Sequence, residues 1–391
     1  MHTFAARVSR LESEGAYAVL ARSQALEAQG RKIFHLEIGQ PDFATFEHIR
    51  EAGIQAIRDG QTRYNPPAGL AGLRAAIAED AGRRRGLELK PAQVVVGPGA
   101  KPGLFFPTLA LVEPGDEVIF PDPGFPTYAA MIAVAGGVPV PVPLREEKDF
   151  SFDLEAFDAR VGAHTKLIVL NSPANPTGGV IPLADLEHIA AKARQFDAWV
   201  MSDEIYARLA YDGRAAPSIA ALPGMLERTI LVDGFSKTYA MTGWRLGFMV
   251  MPEALAERVE LLLTHSIGCT ATFTQLAGIA ALHGPQDEAE AKVAEYQRRR
   301  DRIVAGLNAL PGVSCRVPQG AFYAFPNVGS LGLTSSEIAR RLLDEAGVAV
   351  LSGTDFGPNG EGYLRLCYAT SVETIDGALE QMQKFFKTLS G

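Results

Sequence analysis

Lys237 and Arg245 stand eight residues apart in the segment SKTYAMTGWRLG, which spans residues 236–247. The apolar run 229–233 precedes the lysine, and a second apolar run begins at the arginine. Such runs predict buried strands, so both cations are expected at strand ends. Together with the hydroxyl of Ser236, they suit a phosphorylated ligand that carries a carbonyl group. The alternative interpretation is that Lys237 is an ordinary surface lysine.

Four other segments put chemically useful residues at the ends of predicted strands. Gly97 and Gly99 stand between a strand and a helix, where backbone N–H groups approach a phosphate, although a dinucleotide loop or a plain turn fits equally well. Asn175 lies in a turn rich in proline and glycine. Asp203 ends an apolar strand, where a lone carboxylate needs a cationic partner. Arg365 alternates with apolar neighbours and is expected to point into a cleft, unless it is an exposed strand arginine.

A sheet is needed to bring these segments together. Short apolar runs alternate with segments of helical spacing, which predicts an α/β domain with a mostly parallel sheet covered on both faces. Ligands of such sheets bind at the carboxyl ends of the strands. The apolar runs are 93–97, 117–120, 166–171, 199–203, 229–233 and 245–250.

The pattern changes after about residue 285. A long charged helix leads to shorter strands, around 313–326 and 364–368, which indicates a separate α+β unit. The first 45 residues contain one helix-like run and no strand partner of their own, so they are expected to pack on this C-terminal unit. We therefore predict a large domain over 46–285 and a small domain formed by 1–45 and 286–391.

Composition narrows the class of protein. The 391 residues are 47% hydrophobic and 21% charged, enough for a large core and a second unit. A net charge of −8 argues against a nucleic-acid binder, and the arginine runs 83–85 and 298–300 are interpreted as solvated helix faces. Three cysteines without a CxxC pair argue against a disulfide framework and fit a reducing cytoplasm, and no metal site is predicted. Neither a signal segment nor a membrane-spanning stretch is visible.

The motifs, in this order and at about these separations, resemble those of class I aminotransferases of fold type I, which use pyridoxal 5′-phosphate (PLP). The similarity covers nearly the whole chain, from LEIGQPDF at 36–43 through YNPPAGL at 64–70 to the block 236–247. It looks most like the bacterial branch that includes aspartate aminotransferases. The resemblance implies a mostly parallel sheet between helices with a smaller α+β domain. It also implies ping-pong transfer of an amino group from an L-amino acid to a 2-oxo acid.

The resemblance implies three catalytic residues. Lys237 corresponds to the Schiff-base lysine, which also moves a proton at the substrate Cα. Asp203 corresponds to the carboxylate that pairs with the pyridinium nitrogen of the cofactor, which would answer its need for a cationic partner. Tyr206 corresponds to a hydroxyl that, with Asn175, binds the 3′-oxygen of the cofactor. The implied cofactor-binding residues are Gly99, Ala100, Lys101, Phe125, Asn175, Asp203, Tyr206, Ser236, Lys237, Arg245 and Tyr64.

The implied substrate-binding residues are Gly39, Asn175 and Arg365. The planar guanidinium of Arg365 would hold the α-carboxylate in bidentate geometry. Two positions depart from the family pattern. Phe125 stands where many relatives have tryptophan, so it can stack on the cofactor ring but lacks the indole N–H. Gly234 stands where some relatives have a phosphate-binding serine, which leaves Ser236 as the expected hydroxyl.

The expected amino donor is aspartate or another small amino acid, and the expected acceptor is 2-oxoglutarate. Lys101 matches a lysine that in the aspartate branch helps to bind a distal carboxylate. Glu14 falls where that branch has hydroxyl residues and would repel a second carboxylate, so neutral donors such as alanine stay open. Tyr64 matches a phosphate ligand from the neighbouring subunit, which implies a homodimer with shared active sites.

Three other functions compete with this prediction. A C–S β-lyase or another amino-acid lyase would use the same cofactor and the same residues. A PLP-binding regulator without catalysis would need an additional DNA-binding module, for which the chain has no room before residue 36. A nicotinamide dehydrogenase built on Gly97 and Gly99 would leave Lys237, Asp203 and Arg245 without a role.

Overall fold

A computed structural model describes residues 4–5, 7–9, 11 and 14–389 of the chain. The prediction that the N-terminus carries no signal segment falls largely outside the described residues. The helices are α1 (Gly15–Glu27), α2 (Glu47–Arg58), α3 (Ala71–Arg85), α4 (Lys101–Leu111), α5 (Thr127–Ala135), α6 (Leu154–Asp158), α7 (Leu183–Gln195), α8 (Glu253–Thr264), α9 (Thr272–His283), α10 (Asp287–Asn308), α11 (Ser335–Arg341) and α12 (Val372–Leu389). The strands are β1 (Phe34–His35), β2 (Val94–Gly97), β3 (Glu117–Asp122), β4 (Val138–Arg145), β5 (Ser151–Phe152), β6 (Thr165–Asn171), β7 (Trp199–Asp203), β8 (Thr229–Gly234), β9 (Gly247–Val250), β10 (Tyr323–Ala324), β11 (Val348–Ala349), β12 (Leu351–Ser352) and β13 (Leu364–Cys367).

The large sheet has the strand order β2-β9-β8-β7-β6-β3-β4-β5. Strands β8, β7, β6, β3 and β4 are parallel, whereas β9 and β5 run antiparallel to their neighbours. Alternate residues of one strand pack on opposite faces: Val94 and Val96 of β2 join the core beneath α3 and α9, and Val95 joins the core beneath α4 and α8. The predicted α/β architecture, a mostly parallel sheet between helices, is therefore confirmed.

Three strand predictions need correction. The strand predicted over 117–120 continues through Pro121 to Asp122 in β3, and Pro121 lies beyond Ile119, the last residue that pairs with β6, so no donor is missing there. Arg245 is expected to begin a strand, but its φ of 54° places it in a left-handed turn, and β9 starts at Gly247. The segment 313–326 forms only the short strand β10.

Strand β4 is absent from the predicted strands, because prolines interrupt its sequence at every second position. Pro139, Pro141 and Pro143 alternate with valines, and β4 pairs with β3 over residues 138–143. On the other side β5 pairs only with Leu144 and Arg145, which leaves the proline-bearing part of β4 at the edge of the sheet. An edge is the one place in a sheet where proline is tolerated.

The N-terminal segment is joined to the C-terminal part of the chain. β1 pairs in parallel with β11, and α1 packs against β11 and β12. The expected packing of this segment is therefore found, and its strand β1 has its partner in the C-terminal part of the chain rather than among the first 45 residues. Strands β10, β13 and β12 form a second, antiparallel sheet, and Leu36 is buried in their core with residues of α10 and α12. The boundaries 46–285 for a large domain stay a prediction.

Each arginine run is solvated only at its first residue, since the side chains of Arg83 and Arg298 are 70% and 77% exposed, and the rest of each run contradicts the interpretation as a solvated face. Arg85 donates to Glu204 (2.7 Å) and to Asp233 (3.0 Å), and Arg300 donates to Asp212 (2.7 Å). The side chains of Arg85 and Arg300 are each only 4% exposed. The helices α3 and α10 turn these arginines inward, where carboxylates distant in sequence compensate the charge. Among the described residues, no helix is long and apolar enough to cross a membrane.

Candidate active site

A cavity of about 1000 Å³ lies at the carboxyl ends of β6 and β7, between the large sheet and the C-terminal sheet. Helix α1 forms part of its outer wall through Tyr17, Leu20 and Gln24, which share one face of the helix. The cavity brings together most of the residues that the sequence singles out. Those that line it are Gly39, Ala100, Lys101, Phe125, Asn175, Asp203, Tyr206, Ser236, Lys237, Arg245 and Arg365.

Lys237 lies three residues beyond β8, on the floor of this cavity. Its Nζ donates to the backbone oxygen of Gly39 at 2.6 Å. Burial lowers the pKa of the amine to about 8, and the positive charges of Arg365 and Arg245 act in the same direction. A lysine with this pKa has a substantial neutral fraction near neutral pH, and the neutral amine is the form that attacks a carbonyl carbon.

Asp203 is a buried carboxylate at the end of β7. Its oxygens accept from the hydroxyl of Tyr128 (2.8 Å) and from the backbone N–H of Ile205 (3.3 Å). Burial is the main cause that raises the pKa of Asp203 to about 6. Within the described part of the chain it has no cationic partner, so a cationic N–H group of a ligand would satisfy it. Sequence reasoning misses Tyr128, because its only signal is its place one helical turn after Phe125.

Asn175 and Tyr206 face the same side of the cavity. The Asn175 backbone N–H donates to the side chain of Asn171 at 2.8 Å, while Oδ1 of Asn175 is buried without a partner among the described residues. The hydroxyl of Tyr206 bonds the hydroxyl of Tyr323 at 2.7 Å. Sequence reasoning also misses Tyr323, because an aromatic residue in the apolar run 321–325 is as typical of a core as of a site.

Arg365 of β13 is 3% exposed and lines the cavity. One Nη donates to the backbone oxygen of Glu37, but its Nε has no partner among the described residues. The guanidinium lies 4.7 Å from the ring centroid of Tyr323 and 5.3 Å from that of Phe356. The two rings hold the guanidinium in place, and its free N–H can bind a carboxylate.

A cradle for an anion lies where β2 leads into α4. Gly99 has a φ of 90°, and a side chain there would collide with the guanidinium of Arg245. Arg245 is fixed by bonds to the backbone oxygens of Thr242 (2.8 Å) and Pro98 (3.3 Å). The N-terminus of α4, the Arg245 charge and the nearby hydroxyl of Ser236 together favour a phosphate.

Lys101 and Glu14 form an ion pair at the mouth of the cavity. The ammonium group of Lys101 also lies 5.3 Å from the centroid of the Phe125 ring. From sequence, Glu14 is expected to act only by repelling a substrate carboxylate. In the structure it also pairs with Lys101, the side chain that would attract such a carboxylate. Sequence alone gives no sign of this pair, because the two residues are 87 positions apart.

Tyr64 does not line the cavity of its own chain. Its side chain is 98% exposed, although the next residue, Asn65, is anchored through bonds to Thr270 (2.8 Å) and Thr272 (3.0 Å). A rigid segment thus presents a tyrosine to the outside of the subunit.

Comparison with known proteins gives the class of protein. The family described as aminotransferase class I and II matches residues 31–382. The chain is 42% identical over 361 residues to the putative aminotransferase YugH of Bacillus subtilis, covering 92% of this chain and 93% of that relative. It is also 42% identical over 364 residues to an aspartate aminotransferase of Pyrococcus abyssi, with coverages of 92% and 93%.

Two solved structures show the same fold. An aspartate aminotransferase from Thermus thermophilus with maleate gives a TM-score of 0.93 at 38% identity and covers 98% of this chain and 100% of its own. An aromatic aminotransferase from Pyrococcus horikoshii gives 0.89 at 40% identity, with coverages of 94% and 99%. The chain belongs to the class I and II aminotransferases. It is a PLP-dependent transaminase that acts on amino acids and 2-oxo acids.

Proposed function

We propose that Lys237 is the residue to which the cofactor binds covalently and that it also moves the proton at the substrate Cα. The observation that carries this proposal is a buried lysine with a pKa lowered to about 8, in one cavity with Asp203 and Arg365. A general base poised near neutral pH is suited to repeated proton transfer. The same amine would serve donor and acceptor in turn, as a ping-pong cycle requires.

The polar and aromatic side chains that line the cavity support a set of cofactor contacts. Asp203 would receive the ring N–H, since it is a buried anion without a cationic partner among the described residues. Asn175 and Tyr206 would bind the 3′-oxygen, and Phe125 would stack on the ring. The phosphate would lie in the cradle described above. When bound, PLP supplies an electron-withdrawing ring that stabilises negative charge at the substrate Cα. The proposed cradle consists of Gly99, Ala100, Ser236 and Arg245.

The substrate α-carboxylate is proposed to bind Arg365. Its unpartnered Nε is buried beside the cavity, and losing water from such a group is offset only by an acceptor of opposite charge. The backbone of Gly39 and the side chain of Asn175 are proposed to contact the same α-carboxylate. Holding the carboxylate here fixes the substrate Cα near Nζ of Lys237, which is what proton transfer needs.

Borohydride reduction tests the central proposal. The pure protein is expected to be yellow, and reduction should fix the cofactor to Lys237, as located by mass spectrometry. Lys237→Ala should still bind PLP, without the covalent link, and lose transamination by several orders of magnitude. Lys192→Ala, at a partly buried lysine of α7 that does not line the cavity, is the control and should match the wild type. An adduct on another lysine would refute the assignment.

For the substrate, we propose 2-oxoglutarate as acceptor and aspartate or a small neutral amino acid as donor. Support for aspartate comes from relatives that bear that name and from Lys101 at the cavity mouth. Against it stands Glu14, which neutralises Lys101. The balance between these two side chains is proposed to set the preference between acidic and neutral donors.

A specificity ratio measures that balance. Comparing kcat/KM for aspartate, alanine, methionine and phenylalanine at saturating 2-oxoglutarate should place aspartate within about tenfold of the best donor, a gap of about 1.4 kcal/mol. Glu14→Gln should raise the aspartate-to-alanine ratio, because it frees Lys101 and removes a like charge. Glu380→Gln, the same change in an exposed pair with Lys384 on α12 and away from the cavity, should leave the ratio unchanged. A larger deficit for aspartate in the wild type would exclude it as the natural donor.

We further propose a homodimer in which Tyr64 reaches the phosphate cradle of the partner subunit. Its nearly full exposure on an anchored segment is the support for this arrangement.

We also propose a cytoplasmic location, because Cys269, Cys315 and Cys367 are all unpaired, as in a reducing compartment.

A further inference from the structure

A buried cluster of charges lies behind the proposed cofactor site. Arg85, the last residue of α3, donates through Nε to Glu204 (2.7 Å) and through Nη2 to Asp233 (3.0 Å). The side chains of Arg85 and Glu204 are 4% exposed and that of Asp233 is 6% exposed. None of these three is among the described residues that line the cavity.

The two carboxylates belong to the strand ends that carry the site. Glu204 directly follows Asp203, and its backbone N–H donates to the oxygen of Val232 in β8 (2.8 Å). Asp233 accepts from the backbone N–H of Gly234 (2.7 Å), and Lys237 follows only four residues later. One guanidinium therefore ties the end of β7 to the end of β8 through two charge-assisted bonds. Asp233 also accepts from Arg84 (3.2 Å), so Glu204 depends on Arg85 more than Asp233 does.

Stability alone does not account for this cluster. Buried ion pairs are often no more stabilising than apolar side chains of the same volume, because both charges lose their hydration. The second oxygen of Glu204 is also fully used, by the hydroxyls of Ser202 (2.9 Å) and Ser218 (2.6 Å). These hydrogen bonds hold the Glu204 side chain away from the cavity, on the opposite side of the backbone from Asp203.

We propose that Arg85 is a positioning residue for the cofactor site: it offsets the charges of Glu204 and Asp233, so that Asp203 stays ionised and aligned with Lys237. This inference rests on the proposed function, since it assumes that Asp203 and Lys237 hold the cofactor. Arg85 touches neither cofactor nor substrate and acts through the ends of β7 and β8.

The electrostatics around Asp203 agree with this role. Burial is the main cause of its raised pKa, and the negative charges of Asp233 and Glu204 raise it further. Without Arg85, the charge of Glu204 would act on Asp203 without its paired cation, and that of Asp233 with Arg84 as its remaining partner, so the pKa of Asp203 would rise further. A neutral carboxyl group holds a cationic ring nitrogen poorly. The titratable groups that surround Asp203 are Tyr128 of α5, Glu204 and Tyr206 after β7, Asp233 of β8 and Lys237.

The test uses two variants whose charge changes have opposite sign. Arg85→Met removes a positive charge and should raise the dissociation constant for PLP about tenfold. It should also move the pH midpoint of the visible absorbance of the loaded protein upward by about one unit. Glu204→Gln removes a negative charge, keeps a hydrogen-bonding side chain, and should move the midpoint downward. Arg85→Lys should restore most of the wild-type midpoint.

The matched control is Arg300→Met. The Arg300 side chain is equally buried and pairs with Asp212, which is 41% exposed, but Arg300 lies in α10 away from the cavity. It should lower the melting temperature without moving the absorbance midpoint. Midpoints that stay unchanged, or that move in the same direction in Arg85→Met and Glu204→Gln, would overturn the proposal.

If Arg85→Met does not fold, Glu204→Gln decides alone: a downward shift supports the proposal and any other result overturns it. A wild-type protein without visible cofactor absorbance would instead refute the proposed function itself, and this inference with it.

Discussion

Tyr323 joins three groups that the site needs in fixed positions. Its hydroxyl bonds that of Tyr206, its ring lies 4.7 Å from the Arg365 guanidinium, and a side chain at Gly39 would collide with its hydroxyl. The tyrosine therefore couples the proposed 3′-oxygen donor to the proposed carboxylate clamp. Gly39 is constrained by this close approach, since only a residue without a Cβ leaves room for the ring.

The clamp itself gives a prediction about a single residue. Arg365→Lys should lower kcat/KM, with a loss of transition-state binding of roughly 2–5 kcal/mol. The reason is that an ammonium group cannot reproduce the planar fork or stack between Tyr323 and Phe356. Steady-state kinetics with the best donor measure it. Arg302→Lys, in an exposed pair with Asp376, is the control and should be silent. Wild-type turnover of decarboxylated amines as fast as their parent amino acids would speak against the clamp.

At the scale of elements, the sequence predicts the parts of the fold whose signal is local. Strands β6, β7 and β8 are mostly apolar runs that the sequence predicts directly. Asn175, Asp203 and Lys237 lie at or just after the ends of these runs, so the sequence alone identifies them as candidate site residues. Strand β4 escapes prediction because alternating prolines hide its character, and an edge position is a property of the whole sheet.

Pairings between distant residues explain the remaining errors. Arg85 belongs to a basic run that is typical of a surface, and only the fold brings Glu204 and Asp233 to it. Tyr128 and Tyr323 are site residues because of what they touch, not because of their neighbours in the chain. The Lys101–Glu14 pair likewise has no local signature. Hydrophobic periodicity thus predicts which way a side chain points, but not which distant side chain it will bond or which opposite charge will compensate its own.

The whole molecule is expected to function as a dimer. Tyr64 and the side chains of Ile54 and Ile57 on α2 are exposed, and an apolar surface of this kind is typical of a subunit contact. Sedimentation should show a dimer. Tyr64→Phe should weaken PLP retention modestly, because one of several phosphate hydrogen bonds is lost, and it should leave the dimer intact. A monomer that is fully active at low nanomolar concentration would contradict this arrangement.

The prolines of β4 restrict how copies of this chain can associate. Residues two apart in a strand direct their backbone groups to the same neighbour, so the nitrogens of Pro139, Pro141 and Pro143 all face away from β3. That rim of the sheet therefore lacks the N–H groups that an incoming strand would need. It cannot template a continuous intermolecular sheet, which protects concentrated protein from edge-to-edge aggregation. Any association of subunits at this rim must use side chains or other elements instead, which leaves the strand order β3-β4-β5 unchanged.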